Sequence, residues 1–154
     1  MTARTEMVTR SRGETEALGE RLGRAARPGD VVALWGELGA GKTVIARGIA
    51  RGLGIDEHEV TSPTFVILHE HLAGRLPFFH IDLYRIDPSE AEGTGWREAV
   101  EGAGVAAIEW PDRVGAELPP DRLDVRIEHA GSDERRIRFE PTGPRAAALA
   151  REAA

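Results

Sequence analysis

Apolar and polar positions along the chain fall into blocks of helical and strand period that alternate from one end to the other. In ETEALGERLGRAA, Glu14 to Ala26, Leu18, Leu22 and Ala25 or Ala26 recur near helical spacing, and Arg27-Pro28-Gly29-Asp30 then breaks the pattern, so a helix leads into a turn. VVALW, Val31 to Trp35, is a continuous apolar run ending at a glycine, the signature of a strand buried on both faces in a parallel sheet. KTVIARGIARGLG follows, with Val44, Ile45, Ile49 and Leu53 on one helical face that stops at Gly54. TFVILHEHL and RLPFFHIDLY flank Ala73-Gly74 and predict a β-hairpin, with Pro77 at a strand start or edge. VAAIEW, Val105 to Trp110, predicts a second buried strand, stopped by Pro111. RLDVRIEH and RRIRFEP alternate apolar and charged residues around AGSDE, which predicts another hairpin with one solvated face. The tail PRAAALAREAA predicts a helix with little apolar bulk, prone to fraying, and Glu90 to Gly104 reads as a looser segment containing Trp96. Trp35 is expected in the core and Trp110 against the site or a partner.

Length and composition narrow the class. A chain of 154 residues fits one domain, 1–154, with no internal repeat or long linker. A domain of that size buries roughly 68–70% of its unfolded surface, enough to need no covalent staple. There are 0 cysteines, which removes disulfides, thiolate metal sites and cysteine nucleophiles from consideration. Neither an apolar span of about 20 residues nor an apolar stretch in the first sixteen positions is present, so the expectation is a cytoplasmic protein with no membrane partner. A net charge of −6 has the wrong sign for a chain that grips nucleic acid chiefly by neutralising phosphates. Any contact with RNA is expected to run through a partner.

One segment changes the picture. Gly36, Glu37, Leu38, Gly39, Ala40, Gly41, Lys42 and Thr43 fit G-x-x-x-x-G-K-[ST], and the match lies between a predicted strand and a predicted helix, the context a P-loop requires. Its glycines let backbone N–H groups turn toward an anion, and the helix N-terminus adds about half a positive charge. Lys42 is the single lysine among 20 basic residues. A compact, flexible ammonium reaches terminal phosphates where the planar fork of arginine is a poor substitute. The Thr43 hydroxyl is suited to Mg²⁺ bridging the β- and γ-phosphates.

Hydrolysis needs acids near that cradle. FFHID ends in Asp82 and VAAIE ends in Glu109, each following apolar residues at an expected strand end, where ligands sit in open α/β sheets. One can hold Mg²⁺ and the other can orient or deprotonate water; the spacing does not say which does which. VTSPTF, Val60 to Phe65, offers the hydroxyls of Thr61, Ser62 and Thr64 on a loop suited to sensing a nucleotide. His69 and His71 share one strand face and His80 and Asp82 do likewise, but the helical spacing and third matching ligand of a metal site are missing, so these histidines read as hairpin side chains. Arg135, Arg136 and Arg138 read as a solvated hairpin face from which one arginine reaches the nucleotide; Arg136, with Thr15, is the candidate contact to adenine.

Taken in order, ETEALGERL, GELGAGKT, TSPTF, HIDLYRI and IEWPDRV resemble the TsaE family of bacterial ATPases of tRNA threonylcarbamoyladenosine biosynthesis, over nearly the whole chain. The resemblance implies an α/β, P-loop NTPase-like three-layer sandwich whose mixed sheet carries antiparallel hairpins. It also implies Mg²⁺-dependent ATP hydrolysis, and work with the TsaB and TsaD proteins that install threonylcarbamoyl on adenosine 37 of tRNAs reading ANN codons. Carried over by position, Lys42 and Thr43 serve phosphate and magnesium, Thr64 lies in a switch-like loop, Asp82 is needed for activity, Glu109 is a magnesium ligand and Trp110 matches the family tryptophan. VILHEHLAGR and TGWREAVEGAG depart from the family pattern. Two other classes share the P-loop: a small phosphotransferase, for which the chain offers little room for a lid, and a non-hydrolysing nucleotide-dependent binding module, against which the two acids argue. With Lys42 the sole lysine, no N-K-x-D guanine motif exists.

Overall fold

The structure is a computed structural model and describes residues 5–56 and 68–154. Its strands are β1 (Thr5–Thr9), β2 (Val31–Trp35), β3 (Leu68–His71), β4 (Phe78–Asp82), β5 (Val105–Glu109), β6 (Leu123–His129) and β7 (Arg135–Pro141). Its α-helices are α1 (Arg12–Ala25), α2 (Lys42–Gly52), α3 (Trp96–Glu101) and α4 (Pro144–Ala153). The strands form one sheet in the order β1-β7-β6-β2-β5-β4-β3. The four inner strands β6, β2, β5 and β4 run parallel; β7 pairs antiparallel with β6, β1 pairs antiparallel with β7 and so runs with the inner strands, and β3 pairs antiparallel with β4 at the other edge.

Alternation along the inner strands feeds two cores. Val32 and Leu34, Val105 and Ala107, and Phe78 face α1, α2 and α4 in one cluster. Val31, Ala106, Ile108 and Ile81 face the opposite cluster, built on α3 and the 3₁₀ turns around it. A strand that serves both layers has no polar position to spare, which is why VVALW reads as an unbroken apolar run. The second layer covers β2, β5 and β4, with Leu68 of β3 packed against its margin. On β6 and β7 the residues Leu123, Val125, Ile127, Ile137 and Phe139 enter the first core, while Arg126, Glu128, Arg136 and Arg138 on the other face remain wholly or partly exposed.

Local signals explain the helix ends. The Ser11 side chain accepts a hydrogen bond from the Glu14 N–H at 3.1 Å, and Glu14 reaches back to accept from the Arg10 N–H at 3.0 Å, satisfying donors at the start of α1. Helices α1 and α2 then pack backbone against backbone. A Cβ at Gly19 would stand 2.4 Å from the Ile45 carbonyl oxygen, and one at Gly23 would stand 2.2 Å from that of Ile49. A Cβ at Gly48 or Gly52 would likewise stand 2.3 or 2.2 Å from the Glu16 or Glu20 carbonyl oxygen.

The structure adds to or departs from the sequence reading at four places. TEMVT forms β1, paired with β7 at the sheet edge, a short strand whose three polar residues hide its alternation. The segment from Glu90 to Gly104 is ordered into the 3₁₀ turn Pro88–Thr94 and α3, because the fully buried Trp96 anchors it in the second core. Helix α4 is seated by Ala146, Leu149, Ala150 and Ala153, all buried, and Arg21 Nε donates to the Ala153 carbonyl at 2.9 Å. Trp35 is only half-buried, donating its indole N–H to Asp124 Oδ1 at 2.9 Å with the Arg126 guanidinium 4.8 Å over its ring. Both hairpins form: β3 pairs with β4 and β6 with β7.

Candidate functional site

The loop between β2 and α2 has the backbone that its glycines allow. Gly39 and Gly41 take φ of 79° and 119°, a region closed to most side chains, and Gly41 caps α2 with no side-chain hydrogen bond of its own. Its N-terminal N–H groups therefore remain available to an anion. Lys42 is buried at 5% exposure. Its ammonium donates to the carbonyl oxygens of Gly36 at 2.6 Å and Glu37 at 2.8 Å and lies 4.1 Å from the centre of the Trp110 ring. Burial holds the Lys42 ammonium below the ordinary lysine range, against the opposing pull of Glu109, Asp82, Asp112 and Glu37.

The strand ends place the acids beside this loop. In the parallel pairing of β4 and β5, Asp82 is in register with Glu109. Glu109 is 3% exposed, and Thr43 Oγ1 lies 3.1 and 3.2 Å from its two oxygens. Its Oε2 also meets His80 Nε2 at 2.5 Å. Asp82 is half-buried, and its Oδ1 accepts from the Tyr84 N–H at 2.9 Å. Burial pushes its carboxyl above the ordinary aspartate value; the Tyr84 hydrogen bond opposes this, Glu109 adds to it, and His80 and Lys42 oppose it. After Glu109 the chain turns sharply: Trp110 takes φ 59°, the single positive-φ non-glycine residue among those described, and lays its ring on Lys42 and on Tyr84, with ring centres 4.7 Å apart. An indole held in a left-handed conformation over the loop lysine marks this turn as built for position rather than for backbone comfort.

Of the residues singled out in the sequence, the fold thus gathers Gly36 to Thr43, Asp82 and Glu109 at one end of the parallel strands. Thr15 joins them. It is buried, hydrogen-bonded to Thr9 Oγ1 at 2.7 Å, and lines a cavity of about 250 Å³ with Arg12, Gly39, Gly41, Val44 and Arg135. Arg136 does not join them. Adjacent strand residues point to opposite faces, so Arg135 donates through Nε to the Ala40 carbonyl at 2.8 Å while Arg136 turns toward Glu6 and Glu128. The arginine beside the loop is Arg135, one position from the candidate. Thr64 and the rest of Val60 to Phe65 lie outside the described residues. No group of three or more His, Cys, Asp or Glu side chains fit to hold a metal occurs among the described residues. His80 is the site residue that the sequence did not yield. Its place two positions before Asp82 puts both side chains on one strand face, but only the pairing of β4 with β5 sets it against Glu109.

A parallel-centred sheet, glycine-rich turn and opposed carboxylates define an α/β protein of P-loop NTPase-like fold. Residues 9–137 match the family described as threonylcarbamoyl adenosine biosynthesis protein TsaE. The chain belongs to the TsaE family. It is 44% identical over 139 residues to the tRNA threonylcarbamoyladenosine biosynthesis protein TsaE of Bacillus subtilis, covering 90% of this chain and 87% of that protein. It is 42% identical over 131 residues to the protein of the same name from Treponema pallidum, covering 84% and 96%. The crystal structure of Bacillus subtilis YdiB superposes with a TM-score of 0.84 at 38% identity, over 99% of this chain and 95% of that one.

Proposed function

We propose that this chain binds ATP with Mg²⁺ and hydrolyses it, in service of forming the threonylcarbamoyl group on adenosine 37 of tRNAs reading ANN codons, together with TsaB and TsaD proteins. The observation that carries the hydrolytic reading is the contact of the Thr43 hydroxyl, at the start of α2, with the buried Glu109 carboxylate at the end of β5. Family membership carries the tRNA reading.

The residues fit both ligands. Glu109 and Thr43 supply hard oxygen donors of the kind Mg²⁺ prefers, and they would hold it. Held there, the ion would supply positive charge to neutralise phosphate oxygens. Gly39 and Gly41 leave room for backbone N–H groups to face phosphate, and Lys42 has two loop carbonyls that it can exchange for phosphate oxygens. The cavity beside Thr15 and Arg135 is the place for the nucleoside end. Asp82 has one oxygen held by Tyr84, so Oδ2 is the atom that can accept a proton from attacking water, and its raised pKa favours that step. Trp110 shields Lys42 from solvent, which strengthens its attraction for phosphate.

A net charge of −6 suits a chain that leaves tRNA to its partners. No described helix is long and apolar enough to cross a membrane. The decisive measurement is steady-state phosphate release by the purified chain, alone and with a TsaB–TsaD pair from the same organism. Slow turnover alone and faster turnover with the pair is the expected result. Phosphate transfer to a small acceptor, or tight ATP binding with no release under either condition, would sink it in favour of a kinase or a binding module.

A further inference from the structure

His80 is fully buried, at 0% exposure, on the same face of β4 as Phe78 and Asp82. Its ring stacks near that of Phe78, with centres 6.3 Å apart, and phenylalanine would fill such a place without burying polar nitrogen. What a phenylalanine could not do is meet Glu109 Oε2, as His80 Nε2 does at 2.5 Å. Nδ1 of the same ring is buried with no hydrogen-bond partner among the described residues. A hydrogen on Nδ1 would be stranded, whereas one on Nε2 is donated to Glu109.

That donor fixes more than one bond. Glu109 acts electrostatically on the buried Lys42 ammonium, and an unrestrained carboxylate would be drawn toward it. With Oε2 tied to His80 on one side and the Thr43 hydroxyl on the other, the carboxylate plane is set before any ligand arrives. We propose that His80 is a positioning residue, which through its Nε2–H holds Glu109 turned toward Thr43 so that the two present a preformed pair of oxygens to a divalent cation. This rests on the reading of Thr43 and Glu109 as the Mg²⁺-holding pair. Partners of this kind commonly carry a 10- to 100-fold share of metal affinity.

The test is calorimetric binding of a non-hydrolysable ATP analogue, first in EDTA and then across a Mg²⁺ series, for the wild type, His80→Phe and His80→Gln. The phenylalanine keeps the ring and loses the donor; the glutamine side chain can return an N–H close to the Nε2 position. His80→Phe is expected to bind the analogue in EDTA within about twofold of wild type while its Mg²⁺ midpoint rises about tenfold or more. His80→Gln is expected to recover most of that midpoint. An unchanged midpoint in His80→Phe, or equal losses in both variants, overturns the inference. So does a parallel loss in EDTA, which would mean a packing role. If His80→Phe does not fold, the glutamine variant decides: a midpoint near wild type supports the proposal, and a tenfold rise with a native melting transition overturns it. A wild type whose analogue binding ignores Mg²⁺ would instead remove the reading of Thr43 and Glu109 on which the proposal stands.

Discussion

Two polar regions of this molecule both bring basic side chains against carboxylates and are built on opposite terms. At the end of β4 and β5, Lys42, Asp82, Glu109 and His80 are wholly or largely withdrawn from water, and the two charges with resolved shifts are both displaced by burial. Across the open face of β6 and β7, Arg126 pairs with Glu140 at 2.5 Å, Arg138 with Glu128 at 3.2 Å and Arg136 with Glu6 at 3.6 Å. There each arginine keeps access to solvent. Solvated pairs of this sort contribute about 0–1 kcal/mol each, because water already satisfies the separated ions. In the buried cluster the protein must hold ions where water cannot, and it does so with backbone carbonyls, an indole face and a histidine. The difference separates charge that water already satisfies from charge that the fold itself must hold in place.

Substitutions can sharpen or break that contrast. The largest effect is expected for Glu109→Ala, which leaves the His80 donor and the Thr43 hydroxyl facing an emptied position. ATP turnover should fall about 10²- to 10⁴-fold with the fold retained, and the Mg²⁺ dependence of nucleotide binding should flatten. Normal turnover in this variant would move the chemistry elsewhere. Next comes Lys42→Ala, which removes a charge-assisted contact of about 1.5–3 kcal/mol and should weaken ATP binding roughly 10- to 150-fold by calorimetry. Lys42→Arg should fail as well, since a guanidinium does not fit a pocket closed by two carbonyls and a tryptophan.

A smaller effect, visible in stability, is expected for Asp82→Asn. The folded carboxyl holds its proton more tightly than the unfolded chain does, so that stabilising contribution is fully present below the ordinary value of 3.8 and is lost as pH rises through the higher folded value. The ligand-free asparagine variant should therefore melt above wild type at neutral pH, with the gap closing as pH falls below 3.8. Melting curves from pH 3 to 8 would show it, and a gap that widens toward acid would reverse the assignment. The smallest effect belongs to Arg138→Ala: at most about 1 kcal/mol of stability, with ATP affinity unchanged. A tenfold loss of affinity there would erase the distinction between the two regions.

Legibility followed the same divide. The loop, both strand-end acids and the parallel strands that present them were readable because each leaves a local mark: glycines at fixed spacing, or an apolar run ended by a carboxylate. The single lysine pointed to the site because its replacement by arginine is chemically costly only there. What escaped depends on tertiary placement. β1 is too short and polar to announce itself and exists through pairing with β7. Trp96 looked stranded in a polar segment, yet it fills the second core. His80 resembled any hairpin histidine until β4 and β5 set it against Glu109. Arg135 and Arg136 are equivalent in sequence, and only the face each takes on β7 decides which touches the loop.

The glycine contacts between α1 and α2 have a mechanical consequence. Since each helix rests on the other's carbonyl oxygens at Gly19, Gly23, Gly48 and Gly52, with no side chains between to act as bearings, the pair behaves as one rigid strut. Sliding one helix along the other would drive backbone into backbone. Thr15 rides on the strut, so its distance from the loop is set by helix contact rather than by a rotamer. The N-terminal end of α2 is consequently an anvil: its place is fixed by α1, and any tilt of α2 would have to carry α1 with it.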